Sequence, residues 1–513
     1  MNRIQRRQKA KAAKKLGKKA NQYAILGEQL AHQGKFDEAV EAFHRALKKE
    51  PENPLIFYSL GMALKRLRRD AEALEMFQKS MELDPRQPKF YTEFATVLRT
   101  MDNLDGAEKF TRAALAEFPN DPLLMTELAT NMQYQYNFNE SEELARKVLV
   151  DSPDFVLALI CLAVVLLQTG EQEEIIEIYN KIFELLPNEP SVHFNYALTL
   201  FSFGHLEEAW KHYRSRWDAI GFSSPVRGFP QKLYDGSPLK GKSILIYGEQ
   251  GLGDEIRYSS LIPDMMSKGA EVSIECNPRL VNLFKRSFEG ANVFPAPYSE
   301  AEAGDVDLDF QSPILDLGEF LRPNVDSFPS DPDATYLKAN PKRIAFWGDR
   351  MKALGPRPKV GLIWRSVQAF GNKNIWGATV EELAPILSIE GIDFVNLMYV
   401  ECKDDRAKIH ELYGVNLHTW DDINLKDDQD DLSALVSNLD LVISYQSAVS
   451  FLAGAMAIPV WTFVPVMVNF EFLGNPEAPG WAPSMRYFRK KVQEEWDETF
   501  ELMAVEIKSK FGL

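Results

Sequence analysis

Residues 51–85 read PENPLIFYSLGMALKRLRRDAEALEMFQKSMELDP. The stretch opens and closes on proline, and the same 34-residue step separates Pro51, Pro85, Pro119, Pro153 and Pro187. Within it, Phe57, Leu60, Gly61 and Leu64 share one helix face, and Ala73, Phe77 and Ser80 share the next. Working outward, the unit from 20 to 53 repeats the pattern with Tyr23, Leu26, Gly27, Leu30, Ala39, Phe43 and Ala46. Later units carry Tyr91, Ala95 and Ala107, then Leu128, Ala129 and Ser141, then Leu162, Ala163 and Tyr179. A sixth, with Tyr196, Ala197, Ala209 and Tyr213, runs into the second half of the chain. Small residues recur where paired helices approach closely, large ones fill between them, and proline ends the second helix because it cannot continue it.

A 34-residue helical pair repeated in this way resembles the tetratricopeptide repeat, which predicts an α-helical tetratricopeptide solenoid of six repeats over residues 20–220. Such a stack cannot close on itself and presents a concave face that usually takes a peptide or protein. The competing expectation is that the stack only positions or dimerises the second half of the chain.

Composition narrows the partners. Against 58 Lys and Arg stand 74 Asp and Glu, a net charge of −16 over 513 residues, so nucleic acid is not an expected ligand. The one basic block, Arg3, Arg6, Arg7, Lys9, Lys11, Lys14, Lys15, Lys18 and Lys19, reads as a solvated, disordered arm over 1–19. It has no apolar core behind it, and no window approaches the roughly 18 apolar residues of a membrane span, so a cytoplasmic protein is expected. Cys161, Cys276 and Cys402 lie far apart, which argues against a zinc cluster.

After Arg227 the rhythm becomes strand, loop, helix. SILIYGE (243–249) reads as a buried parallel strand, residues 250–254 as a tight loop and 255–268 as a helix; AEVSIE (270–275) is the next strand. A second series begins with KVGLIW at Lys359 and continues through FVNLMYV (394–400), LDLVIS (439–444) and PVWTFV (459–464). This alternation predicts an α/β GT-B domain of two Rossmann-like lobes, 221–345 and 356–513, joined by an irregular, proline-rich hinge over about 340–358.

The segments GEQGLGD (248–254), VGLIW (360–364), NLMY (396–399), LDLVIS with AVSFLAGA (439–455) and WAPSMRYFR (481–489) together resemble the heptosyltransferase-like glycosyltransferases, and more narrowly their bacterial branch with N-terminal tetratricopeptide repeats. The resemblance implies a nucleotide-sugar donor, a protein acceptor such as flagellin or another surface protein, no cofactor, and a terminal helix that crosses back to the first lobe. It implies that Asp254 is the general base for an inverting transfer, a role open to a carboxylate within hydrogen-bond reach of the acceptor hydroxyl. Asp is also a common helix cap, and both roles are compatible. Gly251 and Gly253 allow a tight turn at the start of a helix, where anions are favoured. Lys373 matches the position that meets the donor phosphates, and Gln446, Ser447 and Ala448 open a second helix suited to phosphate. The chain departs from the family at Gln446, Ser447 and Phe451, where many relatives have Asp, Thr and His, and at Met398, where relatives often have Gln. That departure motivates the alternative of an inactive transferase-like scaffold.

Asp305, Asp307 and Asp309 form a DxD spacing that suits a divalent cation, but DVDLDF equally reads as a strand with a polar outer face. Asp427, Asp428, Asp430 and Asp431 read as a solvated start to a helix. Trp496, Phe500, Met503 and Ile507 form a helical packing stripe.

Overall fold

The computed structural model describes residues 21–169, 172–219, 222, 224–297, 308–365, 376–465, 470–475, 477, 480–491 and 494–513. The basic arm and Lys373, Asp305 and Asp307 lie outside these residues. The chain divides into two compact units after Leu185.

The first unit is a row of antiparallel helical pairs: α1 (21–32), α2 (Phe36–Leu47), α3 (Pro54–Arg66), α4 (Asp70–Leu83), α5 (Pro88–Thr100), α6 (Leu104–Glu117), α7 (Pro122–Tyr134), α8 (Phe138–Asp151), α9 (Val156–Thr169) and α10 (Gln172–Leu185). Proline occupies the first turn of α3, α5 and α7, where its missing N–H costs nothing. Close approach explains the glycines: a Cβ on Gly27 would lie 2.6 Å from Phe43, and one on Gly61 2.7 Å from Phe77. Neighbouring pairs are tied by ion pairs at equivalent positions, Lys65–Glu93 and Arg99–Glu127 (3.2 Å) between first helices, Arg112–Glu140 (2.7 Å) and Arg146–Glu174 (2.6 Å) between second helices.

The second unit opens with the sixth helical pair, α11 (Pro190–Phe203) and α12 (Leu206–Tyr213), and then a 3-10 turn, Arg214–Trp217. Sequence periodicity groups this pair with the other repeats, yet it packs as part of the α/β region. Trp210 covers Gly318 so closely that a Cβ there would sit 2.3 Å from the indole, whose N–H donates to the Arg322 carbonyl at 2.8 Å. Arg216, fully buried, donates to both oxygens of Glu249 at 2.8 and 2.9 Å and pairs with Asp316 at 2.7 Å.

The α/β region holds two five-stranded, wholly parallel sheets. The first comprises β1 (Lys232–Leu233), β2 (Ser243–Tyr247), β3 (Glu271–Cys276), β4 (Asn292–Pro295) and β5 (Phe310–Pro313) in the order β1-β5-β2-β3-β4. The second comprises β6 (Lys359–Ile363), β7 (Asp393–Asn396), β8 (Leu441–Tyr445), β9 (Val460–Pro465) and β10 (Met485–Lys490) in the order β10-β9-β8-β6-β7. Strands β2, β6, β8 and β9 are buried along their whole length, as continuous apolar runs in parallel sheets require. The connecting helices are α13 (Leu252–Tyr258), α14 (Ile262–Ser267), α15 (Val281–Ser287), α16 (Pro341–Ala353), α17 (Lys403–Tyr413), α18 (Gln429–Val436), α19 (Ala448–Ala455) and α20 (Asp497–Phe511).

Three expectations are corrected. Most of the stretch 340–358 is helical, with only 354–358 irregular: Asn340 caps α16 by accepting from the Lys342 N–H at 3.0 Å, and Pro341 takes its first turn. What fixes α16 is Asp431, which is buried where solvation was expected for the whole acidic run; Asp427 and Asp428 are exposed and the run opens α18, as expected. Asp431 accepts two bonds from Arg343 (2.6 and 2.7 Å) and one from the buried Trp347 indole (2.9 Å), Asp430 pairs with Arg286, and Asp428 caps α18. The terminal helix α20 stays on the second sheet. Its stripe buries Trp496 and Phe500 against Phe463 of β9, and the Trp496 indole donates to the Gly377 carbonyl at 2.8 Å. An apolar stripe settles on the nearest surface that can bury it, and β9 supplies that surface.

Candidate functional site

Strand order reverses between β2 and β5 in the first sheet and between β6 and β8 in the second. At such switch points adjacent loops leave the carboxyl edge in opposite directions and open a crevice. The loop after β2 carries Gly251 and enters α13 with Gly253 and Asp254; the loop after β8 carries Gln446 and Ser447 and enters α19 with Ala448. These two loops face each other, since a Cβ on Gly253 would lie 3.4 Å from both Ala448 Cα and the Phe451 ring. Of the residues singled out from the sequence, Gly251, Gly253, Asp254, Gln446, Ser447 and Ala448 thus come together. Lys373, in the segment after β6, is outside the described residues.

Asp254 is the third residue of α13. Its Oδ2 accepts from the Gly251 N–H at 3.0 Å and its Oδ1 from Arg257 Nη2 at 2.7 Å, so it does cap the helix. The side chain remains 24% exposed, and each carboxylate oxygen keeps lone-pair capacity for a further donor. Ser447 and Ser450 form a reciprocal cap: Ser447 Oγ accepts from the Ser450 N–H at 3.2 Å, and Ser450 Oγ from the Ser447 N–H at 3.0 Å. Backbone N–H groups, rather than the Ser447 hydroxyl, are what the α19 terminus offers an anion.

Two residues not identified from the sequence organise this site. Arg257, 1% exposed, pairs with Glu471 at 2.5 Å as well as with Asp254, donates to the Tyr258 hydroxyl at 2.7 Å, and lies 4.7 Å above the Phe451 ring. Gln446 donates to the other oxygen of Glu471. Two of the positions where the chain departs from the expected pattern, Gln446 and Phe451, are therefore contacts of the Arg257–Glu471 pair. Arg257 follows Asp254 by one helical turn, a signal visible in the sequence; Glu471 lies in a short 3-10 turn far along the chain and gives none. Burial opposes the charge on Arg257, but Glu471, Tyr258 and Asp254 outweigh it and hold it a cation. Burial pushes the Glu471 carboxyl above its ordinary range, with Arg257 pulling against it.

The segment joining the sixth helical pair to the first sheet forms the adjoining wall. Arg216 holds Glu249 directly before the loop, and Ser224 Oγ accepts from the Gln250 N–H at 2.6 Å where Gln250 has φ +63°. Glu255, next to Asp254, points beneath this wall and accepts from the Asn277 N–H at 2.7 Å. Burial raises its carboxyl to about 7, against the Asn277 bond and with help from Asp254. Because the folded chain holds this proton up to about pH 7 and the unfolded chain releases it near 4.5, the stabilisation is complete below the lower value and lost as pH rises through the upper one. Glu255→Gln should therefore gain about 3 kcal/mol on the parent between pH 4.5 and pH 8. Denaturant unfolding at the two pH values measures it; a gap that does not change with pH rejects a buried, proton-holding Glu255.

Among the described residues, no group of three His, Cys, Asp or Glu is placed to hold a metal ion, and Asp309 instead pairs with Lys242 at 2.6 Å and accepts from the Ser243 N–H at 2.9 Å. No helix among them is long and apolar enough to cross a membrane.

A tetratricopeptide-repeat family profile matches residues 26–88. With the helical pairs of the first unit, this shows tetratricopeptide repeats in the N-terminal part of the chain, ahead of a C-terminal region with two parallel five-stranded sheets. Protein FlbA of Caulobacter vibrioides is 31% identical over 328 residues, covering 61% of this chain; the chain spans about half (54%) of that relative's length. Among solved structures, a thermophilic TPR protein of Thermus thermophilus shares 23% identity over 35% of this chain and 98% of its own, with a TM-score of 0.33. MamA of Desulfovibrio magneticus shares 20% identity over 33% of this chain and 97% of its own, with a TM-score of 0.27.

Proposed function

We propose that the α/β region is a GT-B glycosyltransferase of the heptosyltransferase-like kind, transferring a sugar with inversion, and without a metal ion, from a nucleotide-sugar donor to a hydroxyl of a protein acceptor held by the repeats. The observation that carries this reading is the meeting of the Gly251–Asp254 loop with the Gln446–Ala448 loop, because it sets a carboxylate opposite a helix N-terminus at two facing switch points. Asp254 then takes the proton of the attacking hydroxyl, while the α19 amides and Lys373 stabilise the charge left on the departing phosphate. Flagellin or another surface protein is the acceptor in this reading, and the concave repeat face, which such stacks use for peptides, is where it docks.

A second reading, an inactive scaffold, is favoured by one observation: both oxygens of Asp254 and the Ser447 hydroxyl are already engaged within the protein. Calorimetry of the full chain against a panel of nucleotides and nucleotide sugars separates the two. Binding accompanied by turnover supports the transferase; no heat with any member of the panel leaves the scaffold.

A further inference from the structure

We propose that Arg257 is the positioning residue of the site, orienting the Asp254 carboxylate and tying that orientation to contact between the two lobes through Glu471. This rests on the transferase reading of Asp254. Arg257 belongs to α13 in the first lobe, and its guanidinium is shared between a carboxylate of its own helix, Asp254 at 2.7 Å, and one from the second lobe, Glu471 at 2.5 Å. The fork is held flat by rings of both lobes, Tyr258 at 4.5 Å and Phe451 at 4.7 Å. A planar guanidinium with several fixed donors can hold two carboxylates in set directions, which a lysine ammonium does less well. Rotation of Asp254 toward another rotamer then breaks a charge-assisted bond in a part-buried setting. Separation of the lobes removes Glu471 and Phe451 from Arg257 and frees its fork. Gln446, by donating to Glu471, orients the carboxylate that faces Arg257. The chain therefore uses Gln446 and Phe451 to support a first-lobe arginine, so their departure from the family pattern does not by itself mark a dead site.

The titratable groups facing this arginine are Asp254 and Tyr258 on α13, Glu471 from the second lobe, Tyr336, whose hydroxyl donates to the Arg257 carbonyl at 3.4 Å, and Tyr487 of β10. Of these, Asp254 is the carboxylate that depends on Arg257 within its own helix turn. Loss of the guanidinium lets Asp254 swing away from the direction that Arg257 sets, so a chemical step that uses it should slow while donor binding is kept.

The test uses the full chain with Arg257→Met, Arg257→Lys and Glu471→Gln, each checked by thermal melting, and follows consumption of a panel of nucleotide sugars from pH 5 to 9. For Arg257→Met the expected result is a kcat about 10²-fold below the parent with a donor KM within about threefold of it. Arg257→Lys should recover part of the rate, and Glu471→Gln should lower kcat without moving KM. A folded Arg257→Met with the parent's kcat overturns the proposal while leaving the transferase reading intact. Equal losses of kcat in both Arg257 variants also overturn it, since a packing role alone accounts for them. A parent that consumes no nucleotide sugar at any pH sinks the transferase reading and this inference with it.

Discussion

Asp254→Asn is expected to lower sugar transfer by about 10²- to 10⁴-fold, the range that a positioned general base supplies, while nucleotide-sugar binding stays within about threefold of the parent. Asparagine fills the same volume and keeps one acceptor oxygen, so it can satisfy the Gly251 N–H or the Arg257 guanidinium, now met by Asp254 at 3.0 and 2.7 Å, but not both. Arg257 retains Glu471, so the buried cation is not stranded. The structural cost is therefore that of one lost charge-assisted bond at a partly exposed position, about 1–2 kcal/mol. Activity and stability should separate widely. Turnover, calorimetry and a melting curve on the same preparation read all three quantities. Should Asp254→Asn transfer sugar at the parent's rate, Asp254 is a helix cap and the base lies elsewhere.

The largest stability effect should come from a residue outside the crevice. Arg216→Met leaves Glu249 buried without its cation and Asp316 with only Arg214, at 3.8 Å: the side chains of Arg216 and Glu249 are wholly inaccessible, and that of Asp316 nearly so. Removing one partner of a buried ion pair costs about 3–5 kcal/mol, because the remaining charge must be neutralised or hydrated in place. Part of the loss should return in Arg216→Met/Glu249→Gln, which removes the stranded carboxylate with the cation. Since Glu249 directly precedes the Gln250–Asp254 loop and also accepts from the Leu315 N–H at 3.3 Å, the single variant should weaken donor binding as well. Denaturant unfolding of the parent, single and double variants tests the account. A single variant as stable as the parent would show that the sixth helical pair is held to the first sheet by its apolar contacts alone.

The same residue shows why domain limits are harder to read than repeats. Periodicity marks α11 and α12 as a sixth unit because Tyr196, Ala197, Ala209 and Tyr213 stand in register with the earlier ones. Which unit they fold with depends on Trp210 meeting Gly318 and on Arg216 meeting Glu249, partners roughly 30 and 100 residues away whose identities carry no period. Arg257 and Glu471 are legible only in part for the same reason. A charged residue one turn after Asp254 is an ordinary helix pattern, and nothing near Glu471 in the chain announces that it faces another lobe.

What the sequence by itself determined is what repeats locally: the helical pairs with their glycines and alanines at close approach, and the buried strands β2, β3, β6, β8 and β9, whose apolar runs leave no alternative once both faces are covered. It also located the two loops of the crevice, because glycine before an acidic helix start and serine after a buried strand are local chemistry. The tertiary structure alone decided that those loops face each other, that Asp431 turns an expected hinge into α16, that the terminal helix stays on β9, and that Gln446 and Phe451 serve Arg257. Each of these is a pairing between distant residues. Burial and electrostatics choose such partners from everything the folded chain brings near, a choice that propensity and spacing along the sequence do not encode.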